Sequence, residues 1–531
     1  MEDKSPVTLT MCTTKGNGVD NGPWTSAVGK EITRQTGVTL DMVVVDKDKL
    51  KVLASGGDLP DLVYLTELKM ADTKSMITSG QLLAVDDLLN KYGQNLLKNE
   101  PVALKWSKEI LGEGKTYIIP SAVKKADKEN PQGNAFVGFF SRYDIYKAIG
   151  SPKMNGEDDY LNVLKKMQDY AQGKMPAGKK VYALSAWTDW SLWPYYILYP
   201  FSFGYTNLNE NMLGNEETEE LESQFMTEDG IFWKAVKFYN KAYRMGIFDP
   251  EGLTQKYEQY TNKIKSGLVL TSAFGQDVPQ CGDKAITTLL PGAFPILPDV
   301  YNYDLAVGYN VTDSRAISVN CKHPERAMQL MNFFDSEEGA RLIMNGVKGT
   351  DWDVKDGKPQ IIGERLKKIQ SGSSSEYDMK NGIGVLTYFY SGAVTPADGA
   401  PTVLSGSKDF MVQNATKAQK AFAQDFNKNF SFPGQVYDAW VKDGTAKTIT
   451  TVPISLQIMG SCSDSTEQIE SNAEQYVSAN ISKIIMAKDD AAFDSAKASA
   501  ISALKAMGMD KANEEVMKNY ETAKKQAESF K

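Results

Sequence analysis

The sequence predicts an α/β protein with mostly parallel sheets, built as two or more lobes and ending in a helical region. Its 531 residues exceed what one ordinary hydrophobic core accommodates. In the first part of the chain, short β-branched strands alternate with helical segments, the order that gives βαβ units. After about residue 410 the pattern becomes helical and rich in alanine and lysine, down to Lys531.

The first three strands carry the clearest signals for the sheet. Val7–Met11 and Val38–Val45 are predicted strands, and a helix over Thr25–Gln35 is predicted between them. A glycine-rich turn over Ala54–Pro60 then leads into a third, buried strand at Asp61–Leu65.

Several later elements follow from spacing and capping residues. Apolar side chains three and four residues apart predict helices around Tyr160–Tyr170 and Phe232–Ala242. Pro324 occupies a first-turn position and Ser336 an N-cap position of two further helices. Leu268–Leu270 is predicted as a strand.

Composition excludes several classes of function. The net charge is −8 and the basic residues are dispersed, so no nucleic-acid partner is expected. No apolar run approaches the roughly 20 residues of a membrane-spanning helix. The cysteines are far apart without a CxxC pair, which favours buried free thiols over disulfides or a zinc site. They are Cys12, Cys281, Cys321 and Cys462.

The N-terminal segment Met1–Pro6 is polar and runs directly into the first strand. It lacks the charged and then apolar regions of a signal peptide. Two interpretations remain open: a cytosolic protein, or one whose targeting segment has been removed, as in a trimmed lipoprotein.

The stretch between Tyr182 and Tyr205 has an unusual density of aromatic residues. Trp187, Trp190 and Trp193 are spaced by three, and tyrosines and phenylalanines follow. One interpretation is a helical turn that faces the core. The other is a stacking platform, because pyranose rings have apolar C–H faces that pack on Trp and Tyr. We expect at least one of the three tryptophans to face a ligand.

Further candidate ligand contacts lie in loops, most of them after predicted strands, since ligands of α/β proteins bind at the carboxyl ends of strands. Each could equally be an ordinary loop residue, and Asp61 is expected to be a structural turn residue. The candidates are Lys15, Asn17, Trp24, Phe274, Gln276, Asp277, Tyr309, Lys348, Asp351 and Trp352.

Motifs for catalysis and for metal binding are weak. The single histidine, His323, directly precedes a proline and is best interpreted as a helix-entry residue. No catalytic pairing or phosphate-binding loop is apparent, although 67 acidic residues leave a carboxylate pair possible. Asn207, Asn209 and Asn211 alternate ahead of Glu216, but without the glycine and aspartates of a calcium loop. We expect no cofactor and no metal.

An ordered series of segments resembles the extracellular solute-binding proteins of carbohydrate ABC importers. Leu53–Val63, with the sequence LASGGDLPDLV, is similar to the family signature ASGDLPDI. The resemblance is strongest to the long, LipO-like lipoproteins of Gram-positive bacteria. The other similar segments, in order, are Gly80–Leu83, Val85–Leu89, Gly114–Pro120, Arg315–Ala327, Phe333–Glu338 and Gly346–Trp352.

The resemblance implies a hinged two-lobe fold that closes around its ligand. Lobe one would comprise residues 1–138 and a return segment, 312–370. Lobe two would comprise residues 139–311, and residues 371–531 would complete it with the C-terminal helices. Some long relatives carry an acidic calcium loop just before the segment written here Pro176–Lys180. Only Gly173 and Lys174 stand there, so that site is not expected.

The implied function is capture of a carbohydrate, an oligosaccharide, for delivery to the permease subunits of an ABC transporter. The protein would be a monomer at the extracellular face of the membrane, held only by the lipid anchor of its precursor. The alternative is a carbohydrate-active enzyme, a glycosidase or lyase, that uses an aromatic cleft with paired acids. The ordered series of segments favours binding, because a hydrolase has no reason to carry it.

Overall fold

The structure is a computed structural model, and it describes residues 3–14, 19–65, 70–120, 137–208, 211–274, 286–297, 314–371, 373–386, 398–448, 453–460 and 462–530. The chain divides into two compact units. The first comprises Met1–Pro131, Tyr303–Asn414 and Phe530, and the second comprises Gln132–Asn302, Ala415–Ser529 and Lys531.

The strands, in chain order, are β1 (Val7–Thr14), β2 (Gly22–Pro23), β3 (Val38–Val45), β4 (Leu62–Leu65), β5 (Ile118–Ile119), β6 (Val137–Arg142), β7 (Tyr205–Leu208), β8 (Met212–Asn215), β9 (Leu221–Ser223), β10 (Thr271–Phe274), β11 (Thr287–Thr288), β12 (Ser314–Ile317), β13 (Trp352–Lys355) and β14 (Lys358–Ile361).

The helices of the first half are α1 (Ala27–Thr36), α2 (Lys47–Gly56), α3 (Met70–Thr78), α4 (Asp86–Tyr92), α5 (Gln94–Asn99), α6 (Pro101–Trp106), α7 (Tyr143–Ala148), α8 (Glu157–Gln172), α9 (Tyr199–Phe201), α10 (Ile231–Arg244) and α11 (Tyr257–Lys265). Those of the second half are α12 (Pro324–Phe334), α13 (Glu337–Asn345), α14 (Gly363–Gln370), α15 (Ser374–Asn381), α16 (Lys408–Asn414), α17 (Lys417–Phe426), α18 (Pro433–Asp443), α19 (Ile454–Gln457), α20 (Asp464–Ile485), α21 (Asp490–Ala506) and α22 (Met509–Ala527). Ser107–Leu111 and Pro194–Leu198 are π-helical.

The first unit is built on a sheet with the strand order β2-β3-β1-β4-β12-β5. β1 pairs in parallel with β3 and β4, with Val7 opposite Val38 and Met11 opposite Leu62. β2, β12 and β5 add to this sheet in the antiparallel sense. The sheet is therefore mixed, and parallel pairing among its named strands is confined to β1, β3 and β4.

Helix α1 begins two residues later and ends one residue later than the predicted span Thr25–Gln35. The Oγ of Ser26 accepts the N–H of Gly29 at 3.1 Å and caps the helix. Gly37 ends it with φ +75°, and a Cβ there would lie 2.2 Å from the carbonyl oxygen of Lys4. Only glycine accommodates both the positive φ and this close approach.

The segment before β4 is more helical than predicted. Helix α2 continues to Gly56, and the turn begins at Gly57 with φ +74°, so the predicted turn from Ala54 is wrong at its start. Asp61 accepts the N–H and the hydroxyl of Thr10, at 2.8 and 2.7 Å. These bonds tie the entry of β4 to β1 and confirm the structural role expected of Asp61.

The first unit extends further along the chain than the predicted crossing near residue 370. Arg341 donates to the carbonyl oxygen of Ala400 at 2.8 Å, and Arg365 donates to that of Asn345 at 3.1 Å. These buried bonds hold α14 and the chain near residue 400 against α13. Residues 371–414 consequently belong to the first unit and not to the second.

The second unit contains two three-stranded sheets, β10-β6-β11 and β7-β8-β9, both antiparallel. Short connections join β7, β8 and β9, as antiparallel pairing allows. The β6 side chain of Phe139 packs edge-on against Phe238 of α10, with ring centroids 5.5 Å apart.

The predicted strand at Leu268–Leu270 is displaced by three residues. β10 begins at Thr271 and is buried throughout, while Val269 makes only an isolated bridge to Tyr182. The hydroxyl of Thr271 donates to the carbonyl oxygen of Ala183 at 2.9 Å, which permits a polar side chain inside the core.

The C-terminal region is helical, as predicted. α20, α21 and α22 pack together in the second unit, and Asn240 of α10 donates to the carbonyl oxygens of Ile485 and Ala487 at 2.9 and 2.8 Å. None of the described helices is long and apolar enough to cross a membrane.

The cysteines that the structure describes are free and buried, as predicted: Cys12, Cys321 and Cys462. Cys281 lies outside the described residues.

Candidate functional site

The three predicted tryptophans lie on a turn rather than on one helical face. Residues 188–192 form a bend and a turn directly after Trp187, and helical structure begins only at Trp193. The N–H and Oγ1 of Thr188 donate to the carbonyl oxygen of Gln255 at 3.0 and 3.2 Å. Asp189 Oδ1 accepts the N–H of Tyr257 at 2.8 Å. These bonds fasten the turn to the start of α11.

The turn brings the three indole rings together. Trp187 lies 5.4 Å from Trp190 and 5.3 Å from Trp193, measured between ring centroids, and Trp190 lies 5.9 Å from Trp193. The Trp187 and Trp190 rings are nearly perpendicular, at 89°. Edge-to-face contacts of this kind are favourable beyond the burial of area.

Three further rings from α11 and β10 complete this group. Tyr257 stacks on Trp190 with centroids 4.3 Å apart and planes 25° apart. Tyr260 lies 4.7 Å from Trp187, and Phe274 lies 5.1 Å from Trp193. We call these six residues the aromatic cluster: Trp187, Trp190, Trp193, Tyr257, Tyr260 and Phe274.

Exposure differs across the aromatic cluster. Trp187 is 1% exposed and Tyr260 is 2% exposed, so both form a buried base. Trp193 and Tyr257 are half-buried, and Trp190 is 40% exposed. The cluster therefore presents an indole to solvent on a support of buried rings.

Hydrogen bonds fix the support beneath the exposed indole. The hydroxyl of Tyr260 accepts the N–H of Ala273 in β10 at 2.9 Å, and the Oγ of Ser191 donates to Glu474 of α20 at 2.6 Å. Ser191 has φ +53°, a left-handed conformation that costs free energy in a residue other than glycine. The turn is thus held by bonds to the start of α11 at Thr188 and Asp189 and by a bond to α20 at Ser191.

A buried polar network lies directly before Trp187. Gln255 Nε2 donates to the Oγ of Ser185 at 2.8 Å and to the carbonyl oxygen of Ala186 at 2.7 Å. Ser185 donates to Asp249 at 3.0 Å, and Lys263 Nζ lies 2.6 Å from the same carboxylate oxygen. Because this network is buried and bonded, it positions the backbone that leads into the cluster.

The structure places Trp24 in the core of the first unit, where its ring is 8% exposed. The backbone N–H of Trp24 donates to Leu40 of β3 at 2.8 Å. A Cβ on Gly29 or on Gly382 would lie 3.0 Å from an atom of the indole, so both glycines pack on it. This environment favours a packing role over ligand contact.

Asp351 of the glycine-flanked loop is also directed inward. Its Oδ2 accepts the N–H of Val347 at 2.8 Å, and its Oδ1 accepts the hydroxyl of Tyr377 at 2.7 Å. Burial, followed by this bond to Asp351, raises the pKa of Tyr377 to about 12. With both oxygens engaged, Asp351 closes the loop rather than facing solvent.

Trp352 and Lys348 differ from Asp351 in their surroundings. Trp352 Nε1 donates to the carbonyl oxygen of Gly346 at 3.0 Å, and its half-buried ring lies 5.7 Å from the guanidinium of Arg341. Lys348 is exposed, with its Nζ 5.6 Å from the Trp352 ring. The structure thus groups Lys348 and Trp352 in the first unit and the aromatic cluster in the second.

The sequence model for bacterial extracellular solute-binding proteins matches residues 15–341, more than half of the chain. The protein belongs to this family. The matched range includes the segments from Leu53–Val63 to Phe333–Glu338 that suggested the resemblance, while Gly346–Trp352 lies beyond it.

Solved structures of solute-binding proteins share the fold over almost the whole chain. A human-milk-oligosaccharide (HMO) binding, ABC-transporter-associated solute-binding protein from Bifidobacterium longum infantis is 16% identical, with a TM-score of 0.64 and 98% and 99% of the two chains covered. The S. pneumoniae substrate-binding protein FusA in complex with kestose is 14% identical, with a TM-score of 0.62 and 98% and 100% covered.

A third structure, the N-glycan transport solute-binding protein NgtS from Streptococcus pneumoniae, is 15% identical, with a TM-score of 0.57 and 98% and 99% of the chains covered. At these identities the likeness establishes the fold. No curated protein matches the chain.

Among the described residues of this solute-binding protein, no three His, Cys, Asp or Glu side chains form a group that could hold a metal ion. Asn207 and Asn211 donate instead to Gln224 and to the carbonyl oxygen of Glu470, at 3.2 and 3.1 Å. Asn209 lies outside the described residues.

The remaining predicted contacts also lie outside the described residues: Lys15, Asn17, Gln276, Asp277 and Tyr309. Sequence reasoning missed Tyr257, Tyr260 and Asp189. The two tyrosines are three residues apart at the start of α11, a spacing that places both on one helical face. That signal was available, but nothing in the sequence connected α11 to the tryptophan turn.

Proposed function

We propose that this solute-binding protein captures an oligosaccharide on the aromatic cluster and delivers it to the permease of an ABC importer. The observation that carries the proposal is the exposed indole of Trp190, stacked on Tyr257 above a buried aromatic base. The neighbouring structures support the carbohydrate class, since they are proteins that bind human-milk oligosaccharides, bind kestose or transport N-glycans.

Stacking explains why such a surface suits a sugar. The C–H face of a pyranose ring is apolar and flat, and an indole offers the largest matching surface among the side chains. Because Trp190 is already held by Tyr257 and the other indoles, little conformational entropy is lost when the sugar binds.

Asp189 supplies a directional group beside this surface. One of its oxygens accepts the N–H of Tyr257, and the exposed side chain leaves the second oxygen for a sugar hydroxyl. We therefore propose Trp190, Trp193, Tyr257 and Asp189 as direct contacts. Phe274 supports them, and Lys348, Trp352 and the predicted contacts outside the described residues remain candidates.

A ligand screen by thermal unfolding tests the proposal. Oligosaccharides of different linkage are compared with peptides of similar size. A ligand at 100 times its dissociation constant adds about 2.7 kcal/mol to the free energy of unfolding. Stabilisation by peptides alone would reject the carbohydrate assignment.

We propose that the protein binds its ligand without turning it over. Glycosidases use a pair of carboxyl groups, one of which has a raised pKa. Beside the cluster, the carboxylates of Asp249 and Glu251 each lie 2.6 Å from Lys263 Nζ, so the two acids share one lysine as their salt-bridge partner. Prolonged incubation with the stabilising oligosaccharide, followed by chromatography of the products, decides the question, since shortened products would establish an enzyme.

Ligand binding is also proposed to close a hinge, because the chain crosses between the two units more than once. Small-angle scattering at saturating ligand should give a smaller radius of gyration. An unchanged radius would reject closure.

Monomeric state and lipid anchoring of the precursor are proposed from the resemblance. Light scattering of the purified protein tests the first. Lipid anchoring is tested by detergent phase separation of an extract of the source cells. A lipid-anchored protein should be recovered in the detergent phase.

A further inference from the structure

The second unit presents another exposed aromatic ring, separate from the aromatic cluster. Phe426, the last residue of α17, is 40% exposed. Among the tryptophan and phenylalanine residues that the structure describes, only Trp190 and Phe426 are as much as 40% exposed. A single exposed apolar ring is ordinary on a protein surface, so the case for a site rests on what surrounds Phe426.

Buried rings hold Phe426 in place, as they hold Trp190. Its centroid lies 5.2 Å from Phe422, 5.5 Å from Trp440 and 6.3 Å from Tyr143. These neighbours come from α17, α18 and α7 and are largely buried. The orientation of the exposed ring is therefore fixed before any ligand arrives.

Phe426 lines a cavity of about 610 Å³, within the range of ligand-binding cavities. Part of its wall is a close approach of two loops: Gly292 has φ +76°, and a Cβ there would lie 2.3 Å from the carbonyl oxygen of Met154. The cavity lining includes Tyr143, Lys147, Met154, Gly292, Asp425 and Phe426.

Directional polar groups stand beside the ring. Lys147 Nζ lies 2.7 and 2.6 Å from the two carboxylate oxygens of Asp425, and Tyr143 donates its hydroxyl to the same carboxylate at 3.2 Å. Burial and the Asp425 charge raise the pKa of Tyr143, so this hydroxyl stays a donor. Donors and acceptors next to an apolar face match neighbouring hydroxyls on a sugar ring.

The geometry of β6 separates this cavity from the aromatic cluster. Phe274 of the cluster pairs with Val137, the first residue of β6, whereas Tyr143 of the cavity directly follows its last residue, Arg142. A strand rises about 3.3 Å per residue, so the two positions lie roughly 20 Å apart along β6.

We propose that this cavity is a second saccharide-binding site, with Phe426 stacking on a sugar ring and Lys147 and Asp425 bonding its hydroxyls. The sugar class rests on the proposed function, whereas the cavity and its polar groups are independent of it. The near-neutral Lys147–Asp425 pair favours a neutral sugar over an ionic ligand.

Saturation-transfer difference NMR on the full chain tests the proposal. The probes are methyl α-D-glucopyranoside, methyl α-D-mannopyranoside and methyl β-D-galactopyranoside, and the variants are Trp190→Ala, Phe426→Ala and the double variant. We expect a probe whose signal persists in Trp190→Ala and is lost in the double variant, with at least about tenfold weaker binding at this site. Asp425→Asn should weaken the same signal.

The other outcomes are distinct. If Trp190→Ala alone removes all transfer, the aromatic cluster stands as the sugar site and the second site is rejected. If Phe426→Ala alone removes it, the second site stands and the proposed function of the cluster fails. Equal signal in all variants rejects both sites.

Met486→Ala, which truncates another exposed apolar side chain of the second unit, is the matched control and should change nothing. A drop in molecular mass by light scattering on Phe426→Ala would mean that a second copy of the chain covers this surface, and it would overturn the proposal.

Discussion

Replacing Trp190 with alanine should weaken ligand binding strongly, while costing less folding stability than the loss of a fully buried tryptophan. Trp190 is 40% exposed, so about three fifths of the loss expected for a buried tryptophan applies. Since a fully buried Trp→Ala change costs about 3–5 kcal/mol, the loss of stability should be roughly 2–3 kcal/mol. A central aromatic contact costs about 2 kcal/mol or more in binding, which is roughly a thirtyfold loss of affinity.

Trp187 provides the matched comparison within the same aromatic cluster. It is 1% exposed, so Trp187→Ala should incur the full loss of about 3–5 kcal/mol in folding. Trp190→Phe keeps a smaller flat ring above Tyr257 and should lose an intermediate share of affinity. Met486→Ala, at 43% exposure, controls for the loss of an exposed apolar side chain.

The assay measures melting temperature and affinity on the same purified variants, with the oligosaccharide that gives the largest stabilisation of the wild type. Affinity is measured by calorimetry well below the melting temperature, so that each variant is folded. Wild-type affinity in folded Trp190→Ala would refute the stacking argument and leave the cluster with a purely structural role.

Three further predictions concern single contacts. Tyr260→Phe removes the acceptor of the buried Ala273 N–H and should lower the free energy of unfolding by about 1–3 kcal/mol in urea titrations; an unchanged urea midpoint would contradict this. The raised pKa of Tyr377 means that its neutral form stabilises the fold below pH 10.0, the ordinary value, and that this contribution is lost as pH rises towards about 12. The alkaline fall in stability should accordingly be shallower in Tyr377→Phe, and equal slopes would count against the bond to Asp351. Burial raises the pKa of Cys12 to about 12, so iodoacetamide at neutral pH should alkylate it only after unfolding in guanidinium, as read by peptide mass spectrometry; labelling of native Cys12 would show that β1 opens.

Local signals predicted many elements of the fold closely. The β-branched run Val38–Val45 is β3 without any shift, and Pro324 and Ser336 stand at the starts of α12 and α13 as predicted. Each of these signals acts within one helical turn or one strand, so the neighbouring residues in the sequence are enough to determine the element. The family segments implied an order of two lobes along the chain, which no local pattern contains.

Long-range contacts account for most of what the sequence did not predict. β10 consists of threonine, serine, alanine and phenylalanine, without the apolar alternation of a typical strand, and its polar groups are satisfied by residues far away, such as Ala183. Trp24 and Asp351 were predicted as ligand contacts because they lie in loops near strand ends. In the structure both side chains instead contact residues of the first unit. Tyr257 joined the tryptophans through Asp189, a contact across 68 positions.

The packing of three indoles has an optical consequence. With ring centroids only 5.3 to 5.9 Å apart, Trp187, Trp190 and Trp193 should share electronic excitation and act as one chromophore in circular dichroism and fluorescence. A sugar lying on Trp190 would change the environment of one member and so alter the spectrum of all three. The protein thereby carries an intrinsic reporter of occupancy, readable without any label.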